Sequence, residues 1–342
     1  MGKEGIRNLF LGIGTLILVM GCPLGEMPAQ AADVIELRAG CATPKEGPEA
    51  DAVDKFAELV GQKTNGKVKV INLYTAIGVE QQLIQQVMTG SVDIGTISNG
   101  NVSRWTTALH PYDLPFMFKS NNAAADSMST PVAEKAISKL EKDLGVKFLC
   151  ATSPGSGRDI QTRNKALRVP ADIKGLKIRT VSTPMDLAVF KAWGANPTPV
   201  DWGQTYTALQ QGVVDGEGIS LGSFYTSKHY EMVKHILRID YQAMIEILLM
   251  NQAKFNSLSP EHQKAIMEAA REAEAWNRKH EAERAIEIQE KLKKEGVTLY
   301  TPKPQEYAQW ISIRETVWKE VDEKMKGKID WEMVENLRKI QK

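Results

Sequence analysis

The 342-residue chain has little cysteine and little histidine, and what it has is scattered. Three cysteines and five histidines (His110, His229, His235, His262, His280) make no C-x-x-C, no H-E-x-x-H and no other metal spacing. No metal ion and no cofactor is therefore expected. A G-x-S-x-G elbow is missing, since Gly155-Ser156-Gly157 is too short for one. Gly216-Glu217-Gly218 lacks the third glycine of a dinucleotide loop. His229-Tyr230-Glu231 and Asp215 have no nucleophile to serve. Nothing here asks for catalysis. Charge of one sign is also missing: 43 basic against 42 acidic residues leave +1, too little to draw nucleic acid or an anionic membrane.

No apolar run approaches the roughly 20 residues of a membrane-spanning helix. The longest, Asn8 to Gly21, follows Lys3 and Arg7 and reads as the core of an export signal. Two cleavage sites compete. Val19-Met20-Gly21-Cys22 has the form of a lipobox and would end the signal at residue 21 with Cys22 lipidated. Ala29-Gln30-Ala31 is an A-x-A site that would end it at residue 31 and release a soluble chain from Ala32. Either way the expected location is the periplasm. There Cys41 and Cys150 could form a disulfide, or stay as free buried thiols at the ends of apolar strands.

Strands and helices alternate through the remaining chain, the pattern of an α/β protein with largely parallel sheets. Expected strands are Val34–Ala39, Lys67–Leu73, Ser91–Ile97 and Val146–Ala151; expected helices are Glu49–Gly61, Glu80–Met88 and Asn122–Leu144. Gln85–Gly95 (QQVMTGSVDIG) is echoed about 120 residues later by Thr207–Glu217 (TALQQGVVDGE), aligning Gly90 with Gly212 and Asp93 with Asp215. This predicts two similarly built lobes, unless it is only the common form of a helix–Gly–strand junction. From Ser259-Pro260 to Gly296 no residue breaks a helix, and about 36 residues would span about 54 Å. Its alanine-rich, irregular apolar stripe suits a strut across both lobes better than a coiled-coil dimer arm, so a monomer is expected.

The most telling stretch is 172–216. Leu176–Val181 is an apolar strand that carries Arg179. A helix from Pro184 to Gly194 has proline at its first turn and glycine past its end. The Asn196-Pro197-Thr198-Pro199 link, a helix Gln204–Gln211 and Val213–Gly216 complete it. An arginine in an apolar strand is costly unless its head meets an anion. That anion is a bound carboxylate, matched by the guanidinium fork, or an internal partner such as Asp172 or Asp186.

The run K-I-R, G-A-N-P-T-P and Y-T-A-L-Q-Q-G-V-V-D-G closely resembles the solute-binding proteins of TRAP transporters, the DctP type. The resemblance covers roughly 34–300. It implies a two-lobed periplasmic-binding-protein-like α/β fold with a hinge and a long helix spanning both lobes. Lobe I would take 32–154 plus about 243–283, and lobe II 155–242 plus about 284–342. It implies a receptor that grips an organic acid through Arg179 and delivers it to the small and large membrane subunits of a permease. A ligand-sensing subunit for a signalling partner, or an enzyme on the same scaffold, are the rival readings.

By the same resemblance Arg158 is a second anion contact, although Gly157 stands where the family usually has an aromatic. Trp202 would form a flat wall over the ligand, with Tyr206 and Tyr225 as further candidates. The other lobe offers Asn99 and Asn101 at a strand end, with Trp105 behind, and Glu80 and Gln82 on the helix after Ala76-Ile77-Gly78. Cys41 stands where relatives often carry a polar residue. The family's D-G-Q-E-N becomes Asp215-Gly216-Glu217-Gly218-Ile219, which puts Ile219 at a polar ligand position, and Gln204 replaces a glutamate. These losses point to a small or aromatic monocarboxylate rather than a sugar acid.

Overall fold

The computed structural model describes residues 34–341 apart from Gly78; both expected signal cleavage sites lie outside these residues. Two mixed sheets organise the chain. The first comprises β1 (Ile35–Gly40), β2 (Val68–Asn72), β3 (Ile94–Ser98), β4 (Val146–Thr152) and β10 (Glu246–Asn251), in the order β2-β1-β3-β10-β4. The second comprises β5 (Arg158–Thr162), β6 (Lys177–Thr180), β7 (Asn196–Pro199), β8 (Gly216–Ile219), β9 (His235–Gln242) and β11 (Thr298–Tyr300), in the order β11-β9-β5-β8-β6-β7. Each sheet has a parallel half and an antiparallel strand next to it, β10 in the first and β5 in the second. The chain crosses between the sheets from β4 to β5 and again from β9 to β10.

The internal echo is a physical repeat. Gly90 and Gly212 both cap helices with left-handed backbone, φ 78° and 72°. Asp93 then accepts the Arg38 amide at 2.7 Å, and Asp215 accepts the Lys177 amide at 2.8 Å. The same aspartate thus ties the same junction to the neighbouring parallel strand in both sheets. A generic helix–Gly–strand turn would not repeat that bond.

The long helix runs Pro260–Lys294, about 52 Å at 1.5 Å per residue. Ser259 caps it by accepting the His262 amide, and proline occupies its first turn. Its first half buries Ile266, Ala269, Ala270 and Ala273 with the first sheet's core; its second half buries Ile288 and Leu292 with the core beside β8 and β9. Between them, Asn277 accepts the Ser153 amide at 2.8 Å and Arg278 donates to the Ala151 carbonyl at 2.9 Å. The helix is therefore pinned at its middle to the first crossover. The final helix, Trp331–Ile340, packs against 110–113 and 131–133, so the tail reaches back to the first half of the chain.

The expected helix Asn122–Leu144 is two helices, Asn121–Ser127 and Glu134–Leu144, separated by a turn at Pro131, whose missing N–H and fixed φ interrupt a helix. The extended link 196–199 is a parallel edge strand, which its prolines tolerate. Cys41 and Cys150 are free and buried, with burial pushing the Cys41 thiol up to about 12.

Candidate functional site

Strand β6 carries Arg179 into the space between the two sheets. Its register neighbours are Thr198 on β7 and Glu217 on β8. The side chain is only 3% exposed, and Nε donates to the Val200 carbonyl at 2.9 Å. Nη1 is buried and has no partner among the described residues. Burial lowers the pKa of this guanidinium from its ordinary value, opposed chiefly by the nearby charge of Glu217. The internal ion pairs considered from the sequence are not formed: Asp172 accepts the Arg168 and Val169 amides, and Asp186 accepts the Val181 amide. The fork is left for something else.

Trp202 stands beside it, with the guanidinium carbon 5.5 Å from the ring centroid. That arrangement spreads the cation over a π face. Trp202 packs in turn on His229, ring centroids 5.0 Å apart, and His229 Nδ1 lies 2.6 Å from Glu217 Oε1 in a fully buried pair. Glu217 thus lends negative potential to Arg179 while its hydrogen bond goes to His229.

Arg158, on β5, is buried equally deeply and donates from Nη1 to the Gly218 carbonyl at 3.0 Å. Burial works against its charge, but Asp186, Tyr241, Asp113 and Glu80 outweigh it and hold its pKa above the ordinary value. The missing aromatic at 157 has a steric cause: a Cβ on Gly157 would lie 2.7 Å from the Gln242 carbonyl oxygen.

The facing wall comes from the first sheet. Glu80 Oε2 accepts the Ser98 amide at 2.8 Å, the Ser98 hydroxyl at 2.6 Å and the Asn101 amide at 2.9 Å. Glu80, Asn101, Arg179, Val181 and Trp202 are shared by two small adjoining spaces of about 20 Å³ each. Arg158, Ile219, Thr43, Glu49, Ser98, Ser223 and Met244 line the first; Gln81, Arg104, Val200 and Asp201 line the second. A larger hollow of about 600 Å³ between Arg104, Lys139, Met185 and Lys324–Lys328 is open and rimmed by exposed lysines. The arginines with buried charge lie in the smaller cleft.

Six of the eight residues expected from the sequence line this cleft: Arg179, Arg158, Trp202, Asn101, Glu80 and Ile219. Asn99 does not; its amide donates to Asp113 at 2.6 Å and its carbonyl accepts the Ile245 amide, tying β3 to the second crossover. Tyr206 bonds to Glu231 instead, and Tyr225 stacks on Tyr230. Gln82 is exposed; helical phase presents Gln81 to the cleft, where it donates to Asn101 at 2.7 Å and accepts from Trp105. Asp51, His280 and Glu281 converge, but the Arg284 guanidinium already sits on Asp51 and Glu281, so the cluster is neutralised without a metal.

Sequence reasoning missed two buried acids, Glu49, which lines the cleft, and Glu246, which does not. Glu49 follows Pro48 at the start of an amphipathic helix, where an acid in the first turn is ordinary. Nothing local marks it as buried. Glu246 sits in an apolar strand, paired in register with Ser98, and that context could have drawn notice as Arg179's did.

The sequence profile of bacterial extracellular solute-binding proteins of family 7, DctP, matches residues 39–324. An uncharacterized protein of Haemophilus influenzae is 34% identical over 283 residues, 82% of this chain and 85% of that protein. The 2,3-diketo-L-gulonate-binding periplasmic protein YiaO of Escherichia coli is 31% identical over 267 residues, 78% of this chain and 80% of that protein. Among solved structures, the sugar acid binding protein DctPAm of Advenella mimigardefordensis, in complex with galactonate, is 27% identical with a TM-score of 0.82, covering 89% of this chain and 97% of its own. A TRAP periplasmic solute-binding protein of Shewanella oneidensis with bound succinate superposes with a TM-score of 0.83 at 23% identity, covering 90% and 100%.

Proposed function

Because the chain belongs to the DctP family of bacterial extracellular solute-binding proteins, a family of receptors, we propose that Arg179 is the anchor for the carboxylate of its organic-acid solute. One observation carries this: Arg179 lines the cleft with a buried Nη1 that has no partner among the described residues. A carboxylate there would receive two N–H bonds from a planar fork and settle a charge that burial otherwise penalises. Arg158 supplies a second positive group on the same wall, and Trp202 closes over the guanidinium.

The solute is captured between the two sheets, and the halves close about the crossovers 152–158 and 242–246 while the long helix stays fixed at Ser153. In this reading the first lobe holds 32–154 with about 243–283, and the second 155–242 with about 284–342. The closed form then hands the solute to the small and large membrane subunits of a TRAP permease from the periplasmic side. Binding an acid that one of the related proteins is named for, such as succinate, galactonate or 2,3-diketo-L-gulonate, fits this arrangement.

The test is thermal shift of the mature chain against a library of carboxylates, beside Arg179→Ala. A solute at 100 times its Kd adds about 2.7 kcal/mol to the folded state. A class of acids that stabilises the wild type and not the variant supports the anchor; equal response by both refutes it.

A further inference from the structure

The larger hollow lies outside the solute cleft. Its space of about 600 Å³ opens between three segments far apart in the sequence. Residues 103–113 follow β3, Thr183–Met185 lead into the helix after β6, and 324–328 turn between the helices Arg314–Lys324 and Trp331–Ile340. Arg104 lines both this hollow and the cleft beside Arg179. Organic ligands take pockets of about 300–1,000 Å³ in which an apolar wall meets a few converging polar groups.

Both ingredients are present. Trp105, 36% exposed, stands on the wall with its indole N–H donating to Gln81 at 2.9 Å, and Pro184, Met185 and Met325 add apolar surface. Five cations line the same hollow: Arg104, Lys139, Lys324, Lys326 and Lys328. Lys139 is paired with Asp143 at 2.8 Å, and Lys324 with Glu320. Arg104, Lys326 and Lys328 have no acid within ion-pair distance among the described residues. The acids on the lining are engaged already. Asp143 also accepts the Thr106 hydroxyl at 2.6 Å; Asp113 accepts the Asn99 amide at 2.6 Å, and burial raises its carboxyl to about 7. His110, on the same lining, is held by the Ser103 carbonyl 3.2 Å from Nε2 and by the Lys328 backbone. Burial lowers its pKa from the ordinary value, and the charges of Lys328 and Lys139 push the same way. The lysines therefore set a positive potential inside the hollow as well as on its rim.

The turn brings two of these cations to one place. Lys326 and Gly327 are both left-handed, φ 58° and 70°, a conformation a lysine rarely adopts. Lys326 and Lys328 line the hollow on either side of that reversal. Both, with Met325, lie past residue 324, where the match to the family profile ends. We propose that this hollow is a second binding site, distinct from the solute cleft, for an organic anion with an apolar body. The acid group meets Arg104, Lys326 and Lys328, and the body lies against Trp105, Met185 and Met325. Five cations repel an ammonium. A bare inorganic anion would leave the apolar wall in water.

The experiment is calorimetric titration of the mature chain at low salt with 1-naphthalenesulfonate, decanesulfonate, 1-naphthylmethylammonium and sulfate. It uses wild type, the double variant Lys326→Glu/Lys328→Glu, Trp105→Ala and Arg179→Ala, each verified by circular dichroism. Both lysines are exposed, and their reversal leaves the Lys328 backbone bond to His110 in place. At least one sulfonate should bind at a single site, the stronger of the two telling an aromatic acid from an acyl one. The double reversal should raise its Kd about tenfold or more, because two attractions become two repulsions. Binding should also fade at 1 M NaCl, where charges are screened within about 3 Å. Trp105→Ala should weaken it severalfold, and Arg179→Ala should bind as wild type does. Binding by neither sulfonate overturns the site, as does an ammonium or sulfate that binds as tightly as the better sulfonate. So does binding that the double reversal or Trp105→Ala leaves within about twofold of wild type. Binding lost in Arg179→Ala would put the probe in the solute cleft and overturn a second site. The carboxylate anchor is judged on carboxylates alone, so either reading can fail without the other.

Discussion

Arg179 and Glu217 occupy paired positions on adjacent parallel strands, both buried, yet they form no direct salt bridge. Glu217 is bonded to His229 at 2.6 Å and Arg179 to the Val200 carbonyl at 2.9 Å. The acid therefore compensates the cation through space and leaves its fork free. A direct bidentate pair would have stabilised the empty protein and competed with any ligand.

That relationship makes Glu217→Gln informative. Removing the acid leaves Arg179 less compensated, so the ligand-free protein should lose about 1–3 kcal/mol. An anionic ligand then replaces the missing charge, so the ligand-induced rise in Tm should grow. A thermal-shift pair with and without solute checks this; a smaller ligand response would show that Glu217 serves binding in another way.

Trp202 lies 5.5 Å from the Arg179 guanidinium. A partly desolvated cation–π contact is worth about 1–2 kcal/mol, so Trp202→Ala should weaken solute binding roughly tenfold and Trp202→Phe should recover part of it. Titration calorimetry reads both. Unchanged affinity in Trp202→Ala would reduce the ring to core packing.

Stability should depend on pH in an unusual direction. Burial raises Glu49, Asp113 and Asp159 to about 7 and Glu281 to about 8. Each holds its proton in the folded state where the unfolded chain has released it. Their contribution is complete below about pH 4 and is lost as pH rises through about 7 to 8. At roughly 1.4 kcal/mol per pKa unit, Glu49 alone contributes up to about 3 kcal/mol. The ligand-free protein should melt higher at about pH 5.5 than at pH 8, and Glu49→Gln should flatten the slope. A Tm that climbs toward pH 8 would contradict this.

Gly155 has φ 85°, and a Cβ there would meet the Glu281 carbonyl oxygen of the long helix at 2.8 Å. Gly155→Ala should cost about 1–3 kcal/mol from backbone strain alone, with more from the clash. Urea unfolding checks it; a neutral effect would mean the strut is not held tightly at this crossover.

Much of the fold was legible because its cues are local. Gly90 and Gly212, Asp93 and Asp215, and the uninterrupted run after Pro260 all mark elements within a few residues of themselves. The cleft was legible where a charge stood in an apolar strand, as with Arg179, or at the resemblance's own positions, as with Arg158, Trp202 and Glu80. Asn99 was misread because a strand-end amide can serve a crossover as well as a ligand, and only the Asp113 and Ile245 contacts decide which. Gln81 and Gln82 differ by 100° of helical phase, which depends on how the helix packs. Glu49 stayed hidden because one of its partners, Ser223, lies 174 residues away in the sequence.

The central claim rests on Arg179, and calorimetric titration of the wild type and Arg179→Ala with the stabilising acid tests it most directly. Breaking a buried charge pair from one side costs about 3–5 kcal/mol, so Kd should rise at least about a hundredfold. The ligand-free variant also loses the Val200 hydrogen bond and leaves the buried Glu217 less compensated, so circular dichroism and its own Tm are read beside the titration. A variant that binds the acid within about threefold of wild type would show that the carboxylate is held elsewhere.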